Sequence, residues 1–271
     1  MIYALRLSDD ELARYRMMAD RARAHEHELW ELAGLAAGAR VADVGCGPGA
    51  MVLTLAEIVG PGGHVVGIDG DEQAVKTAQA ALATVGAANA EVRTGRADGT
   101  GLAEASFDAV VLRHVLSHNG GAEQRIVEHL AELVRPGGHV YLVDVDMLSL
   151  SITPSLPAAE DLQNRYLKWH AEQGNDLRVG RRLASLGRSA GLVIDAFRGW
   201  FEIVEWPSGM RGPAWAAREA MVRAELATEK DLARWAAAFD EIDSWTERPQ
   251  FMLGVFGAVC RRPSCAGTSI R

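Results

Sequence analysis

The chain is sparing with cysteine: 271 residues hold three, Cys46, Cys260 and Cys265. An odd, scattered set without CxxC spacing builds neither a disulfide framework nor a structural zinc site. It fits a reducing compartment, and a cytoplasmic location is expected. Long apolar runs are missing too. No stretch approaches the roughly 20 apolar residues of a membrane span. The N-terminus, MIYALRLSDDELARYRMM, is acidic early and has no apolar core, so it does not read as a signal peptide. Positive charge is in deficit, with 28 Lys and Arg against 36 Asp and Glu and a net charge of −8. An acidic surface repels phosphate backbones, so neither nucleic acid nor a membrane is expected as a partner. No internal repeat and no linker interrupts the chain.

What is present is a regular alternation. Ser8-Asp9-Asp10-Glu11 has the pattern of a capping box, and Leu12, Tyr15, Ala19, Ala22, Leu29 and Leu32 follow near helical spacing. One or two amphipathic helices are therefore expected before Gly34 or Gly38. ARVADV then reads as a buried strand, AMVLTLAEIV as a helix, HVVGID as a strand and DEQAVKTAQAALATV as a helix ended by Gly86. AEVRTG and FDAVVLRHV are strands three and four. AEQRIVEHLAELV is a helix closed by Arg135-Pro136-Gly137-Gly138, and HVYLVDVD is strand five. Five strands alternating with helices predict an open, doubly wound sheet with helices on both faces. After Asp146 the alternation pauses. DLQNRYLKWHAE and RVGRRLASLGRSAG read as helices, LVIDAFRGWFEIVEW as a long bent strand, PAWAAREAMVRAEL and KDLARWAAAFDEID as helices, and FMLGVFGAVCRR as the last strand. SCAGTSIR has no core-forming pattern and is expected to fray.

The chemistry concentrates in VADVGCGPGA, residues 41–50. Gly45, Gly47 and Gly49 follow a strand and open a helix. There the backbone N–H groups approach a ligand closely, and the helix N-terminus favours electronegative groups. Asp69 ends the second strand, where a carboxylate meets both hydroxyls of a ribose. Asp98, in RADG after the third strand, can accept from an adenine amine. All three positions lie at the carboxyl edge of the sheet, where such folds bind ligands. GCGPGA with an acidic residue on strand two also fits a dinucleotide site, and so an NAD(P)-dependent oxidoreductase.

VADVGCGPG, GID, RADG, FDAVVLRHVL and LVRPGGHVYLVD, in this order, resemble class I S-adenosylmethionine-dependent methyltransferases. The resemblance is to the small-molecule group that includes ubiquinone, menaquinone and natural-product enzymes. It covers residues 40–145 in detail and the rest in layout only. It implies a Rossmann-like, seven-stranded, mostly parallel sheet with an antiparallel last strand. N-terminal helices and a helical insert after strand five would form a cap. The expected division is a helical cap over 1–38, a cofactor-binding core over 39–146, an insert with the completing strands over 147–262, and a disordered tail over 263–271. Asp43 would orient the methionine amino group. Gly45, Cys46, Gly47 and Gly49 would line its side chain, Asp69 and Gly70 would hold the ribose, and Ala97, Asp98 and Gly99 the adenine. Arg113 and His114 would flank the sulfonium, with Tyr15 and Met18 covering the cofactor from the N-terminal helix. Three features favour this over a dinucleotide. Asp43 is an awkward charge beside a pyrophosphate, Pro48 removes an N–H that a phosphate would use, and RADG and the last strand have no dinucleotide role.

Methyl transfer from a sulfonium depends on positioning and exclusion of water. His114 and His118 in RHVLSHN are the candidate bases, one turn apart and expected to share a helix face toward the acceptor. Asp144 and Asp146 end strand five, but strand four ends in Arg113-His114 rather than a carboxylate, so no metal is expected. Tyr166, Trp169, His170, Trp200, Phe201, Trp206, Met210 and Trp215 give the second half an aromatic bias, which suits a small apolar or aromatic acceptor. The same aromatics suit a homodimer interface. A non-methylating relative, such as a cyclase that keeps the cofactor as structure, is the alternative. A nucleic-acid or protein methyltransferase is disfavoured by the acidic balance and by the lack of an NPPY-like tetrapeptide.

Overall fold

Strand β1 (Arg40–Val44) carries no polar residue except Asp43 after its first position, and it is buried on both faces. That is the signature of a central parallel strand. β2 (His64–Asp69), β3 (Ala90–Thr94) and β4 (Phe107–Arg113) flank it, followed by β5 (Val134–Thr153), β6 (Val193–Glu205) and β7 (Gln250–Arg261). The computed structural model describes residues 9–264, with only the backbone described for 9–11. The Ser8–Glu11 cap, Cys265 and the tail beyond it lie outside what is described.

The seven strands form one sheet in the order β3-β2-β1-β4-β5-β7-β6. The first five in that order pair in parallel, and β7 runs antiparallel to both its neighbours. Alternate residues feed two apolar layers. Val41 packs into one layer with α1 (Asp9–His25), α2 (His27–Leu32), α3 (Ala50–Val59) and α4 (Glu72–Val85). Ala42 and Val44 point into the other, made with α5 (Glu123–Leu133) and α7 (Leu183–Ser189). Among the described residues, no helix is long and apolar enough to cross a membrane.

Four expectations change from residue 134 onward. Strand five is not eight residues but twenty. It starts at Val134, directly after α5, and runs past Asp146 to Thr153, with its register slipping between Asp146 and Ser151. β7 follows it to Gln250, and β6 follows β7, so three long strands continue as one wall. Ser149 stabilises the irregular stretch: its hydroxyl donates to Asp146 O and accepts the Gly254 N–H. Helix α6 (Pro157–Glu172) begins four residues before the expected start, with proline in its first turn, where the missing N–H costs nothing. The expected helix over 178–191 opens as a 3-10 turn, Val179–Arg182, ahead of α7. That over 213–226 breaks at buried Ala217 into α8 (Pro213–Ala216) and α9 (Arg218–Arg223).

The cap is fastened by α10 (Glu229–Ser244), which opens with a capping box between Thr228 and Asp231. Asp161 on α6 accepts from Arg165 at 3.0 Å, Arg234 at 2.6 Å and the indole N–H of buried Trp235 at 3.0 Å. Arg165 also reaches Asp231. Exposed pairs in such a network add little, but the Trp235 N–H has no water to turn to. Asp161→Ala is expected to destabilise the protein by about 1–3 kcal/mol, read as a lower urea midpoint. An unchanged midpoint would show that α6 and α10 hold together without it.

Candidate active site

The carboxyl ends of β1 to β5 open into a cavity of about 890 Å³, covered by α1 and the cap. Its floor is the turn after β1. The N–H groups of Gly45 and Cys46 both donate to Ile68 O, at 2.7 and 3.0 Å, tying the turn to β2. Gly45 and Gly47 have φ of 76° and 53°, which side chains resist. A Cβ on Gly45 would also lie 2.2 Å from Val115, and one on Gly47 3.2 Å from the Tyr15 ring. Gly49 differs. It caps α3, faces Ala78 of α4 and does not line the cavity.

Asp69 is gripped at the rim. Its two oxygens accept the Gly47 N–H at 2.7 Å and the Asp71 N–H at 2.9 Å. Burial raises its pKa, and these N–H groups oppose the rise. Gly70 lines the cavity beside it. Asp98 takes two bonds from Arg96, at 2.9 and 3.0 Å, and one from Arg125 at 3.2 Å. The Arg96 bonds foremost hold it at about 2. Ala97 and Asp98 line the cavity, whereas exposed Gly99 only closes the turn back to Arg96.

Deeper in, charge is buried. Asp43 is 2% exposed, and its Oδ2 has no hydrogen-bond partner among the described residues. Burial pushes it up to about 7, against the pull of Arg113. The Arg113 guanidinium is held by Glu26 at 2.5 Å, while its Nε has no partner among the described residues. Glu26, between α1 and α2, also accepts from Tyr141 at 2.8 Å and Trp30 at 3.3 Å. An acceptor and a donor left unpaired in the lining of one cavity suit an amino-acid zwitterion. Nothing in AHEHELWEL marked Glu26. It looks like one more solvated helix carboxylate, and its partners are 87 and 115 residues away.

The loop after β4 corrects the expected shared helix face. His114 has a left-handed φ of 57° and still donates its N–H to Val143 O, so the chain reverses there instead of entering an α-helix. A 3-10 turn, Leu116–His118, follows. Buried Asp144, raised to about 6 by burial, accepts the Ser117 N–H at 3.1 Å and props that turn. His114 and His118 both line the cavity. Burial, then Arg113, keeps His114 neutral. Burial, then His170 and Arg14, hold His118 down at about 3. Tyr15, Met18 and Cys46 line it as well. The Cys46 thiol is pushed up by burial, which keeps it unreactive.

The remaining walls are apolar. Of the eight expected aromatic and flanking residues, Tyr166, Trp206, Met210 and Trp215 line the cavity. Trp169, His170 and Trp200 stand behind it, and Phe201 is 58% exposed. Phe239, Phe251, Leu253 and Ile152 join the lining, and only their apolar runs foretold that. Trp206 packs on Phe251 at 5.6 Å and Trp215 on Phe239 at 5.2 Å. Among the described residues, no group of three His, Cys, Asp or Glu is gathered as a metal ion would require.

A family model described as a methyltransferase domain matches residues 35–182. The chain is 30% identical over 176 residues to an uncharacterized protein in transposon TN4556 of Streptomyces fradiae, covering 65% of this chain and 49% of that one. It thus spans about half the length of that relative. It is 25% identical over 185 residues to a demethylmenaquinone methyltransferase of Lactococcus lactis, covering 62% and 73%. A SAM-dependent methyltransferase from Aquifex aeolicus shares the fold, with a TM-score of 0.53 and 16% identity over 94% of this chain and 99% of that one. The sheet order, the glycine turn beneath an acidic rim and the family match on those same strands agree: the chain belongs to the class I S-adenosylmethionine-dependent methyltransferases.

Proposed function

We propose that the protein transfers the methyl group of S-adenosylmethionine to a small apolar or aromatic acceptor. One observation carries this: a single cavity joins the glycine turn and the Asp43–Arg113 pair to walls of Leu162, Trp206, Trp215, Phe239 and Leu253. At about 890 Å³ the cavity lies near the top of the range of about 300–1,000 Å³ for ligand pockets, which suits a cofactor with a small acceptor beside it. Arg211 and Arg218 already lie over the Phe239 and Trp215 rings, which favours a neutral acceptor over a cationic one. Two buried, unbridged cysteines, Cys46 and Cys260, favour the cytoplasm. The acid excess speaks against nucleic acid.

In this mechanism Asp43 binds the amino group, Arg113 Nε the carboxylate, Asp69 the ribose hydroxyls and Asp98 the adenine amine. When bound, the cofactor supplies an electrophilic methyl on a good leaving group. The protein aligns the acceptor for in-line attack and keeps water out, with α1 and the cap over the site. His118 accepts the acceptor's proton. A ring held near 3 is a weak base but is always neutral at physiological pH. A weak base suffices, because bonding to the methyl group acidifies the acceptor's proton.

Asp43 gives the proposal a pH signature. Its folded pKa lies above the ordinary carboxylate value, so its contribution to stability is full at low pH and is lost as pH rises through about 7. A cationic ligand favours the ionised form. Affinity for S-adenosylhomocysteine is therefore expected to rise by up to about tenfold per pH unit between about pH 5 and 7 and then level. Proton release in calorimetry should accompany binding below the plateau, and Asp43→Asn should weaken binding and flatten the profile. A flat wild-type profile would sink the assignment.

His118→Ala is expected to lower turnover by up to about a hundredfold, the low end for a general base because the ring is a weak one, with S-adenosylhomocysteine affinity unchanged. Unchanged turnover would return His118 to packing.

A further inference from the structure

Behind His118, away from the cavity, lies a buried polar pair that the mechanism above does not use. His170, near the end of α6, is 5% exposed, and Asn175, in the turn after it, is 8% exposed. Buried polar groups need partners, and these partners fix where the protons are. The Gly120 N–H can only donate, and it lies 2.9 Å from Asn175 Oδ1. The other end of that amide, Nδ2, lies 2.9 Å from His170 Nδ1. An amide NH₂ also only donates, so Nδ1 accepts and the neutral His170 ring carries its proton on Nε2. Turning the amide over would set two donors face to face at Gly120.

The His170 ring is 5.0 Å from that of His118, tilted by 56°. Tyr166 at 4.5 Å and Trp169 at 4.8 Å hold it edge-on from other sides. The approach is close. A Cβ on Gly120 would lie 1.9 Å from Gly174 O, so the loop bearing His114 and His118 is seated directly on the turn that ends α6.

We propose that His170 and Asn175 are positioning residues for His118: Asn175 locks His170 as the neutral Nε2–H tautomer, and that ring fixes His118 in the orientation that takes the acceptor's proton. The inference rests on His118 being the proton acceptor. A second proton on His170 would have to break the Asn175 bond, so His170 stays neutral beside His118 and serves to orient it. The arrangement follows the general logic of a base oriented by a third group. It also makes the base depend on the cap, because α6 supplies the orienting ring.

The test uses ¹⁵N-histidine spectra of the full chain, with and without S-adenosylhomocysteine. Wild-type His170 is expected as the Nε2–H tautomer throughout the physiological pH range, and His118 as a single neutral species. Asn175→Asp keeps the shape, but its carboxylate can only accept. His170 should then carry a proton on Nδ1, and the His118 resonances should move with it. In Asn175→Ala, His170 should become a tautomer mixture and His118 should broaden or split. S-adenosylhomocysteine affinity should stay within about twofold in both variants, which also confirms folding. Finding wild-type His170 as Nδ1–H or as imidazolium would overturn the proposal. So would His118 resonances that are identical in the wild type and both variants. Failure of the underlying reading shows elsewhere, as full turnover by His118→Ala or no cofactor binding at all, while the His170 signature is still read in the ligand-free chain.

Discussion

A buried carboxylate that the described residues do not fully satisfy is the constraint on which the rest of the site depends. Moving Asp43 from 3.8 to about 7 corresponds to a penalty of about 4 kcal/mol for the ionised form. That is a large share of the roughly 5–15 kcal/mol by which domains are stable. Packing gives no return for it, since a Val or Ala there would fill a central strand at no such cost. The position pays off only when something cationic arrives. Arg113 faces the same pocket from β4, and it is kept from simply neutralising Asp43 because Glu26 already holds it. The Glu26–Tyr141–Trp30 cluster thus keeps the pair apart. Its anchor is the kink between α1 and α2, which ties the helical cover to the floor of the site.

The cover has a second foundation on the other side. β5, β7 and β6 run beyond the parallel sheet as one wall, presenting Ile152, Leu253, Val255 and Val204 to the cavity. Helices α6 and α10 close against this wall and are locked by Asp161. Because α6 also carries His170, packing of the cap and alignment of the histidine loop are mechanically one structure. An in-line displacement gains most from this kind of rigidity, in which the reacting geometry is set before the acceptor arrives.

The parallel half was legible because its signals are local. Strand and helix periods alternate through residue 146, each turn carries glycine or aspartate, and Asp43, Asp69 and Asp98 lie on one edge by topology alone. What stayed hidden was long-range or irregular. Asp146 and Ser149 look like the end of a strand, yet a register slip absorbs them and β5 continues. His114 and His118 have helical spacing, but a left-handed residue between a strand and a 3-10 turn leaves no trace in composition. Glu26 reads as solvated because its helix is polar around it. Gly49 and Gly99 belong to their motifs, but one packs helices and the other closes a turn. The glycine pattern marked the site correctly without distinguishing the contacts its members make.

The most direct measurement of the central claim is a crystal structure with S-adenosylhomocysteine bound. The ligand's amino group should lie within hydrogen-bond distance of Asp43 Oδ2 and its carboxylate at Arg113 Nε, with the Glu26–Arg113 bond intact. Density placing the amino-acid end elsewhere, with Asp43 Oδ2 still unpartnered, would contradict it.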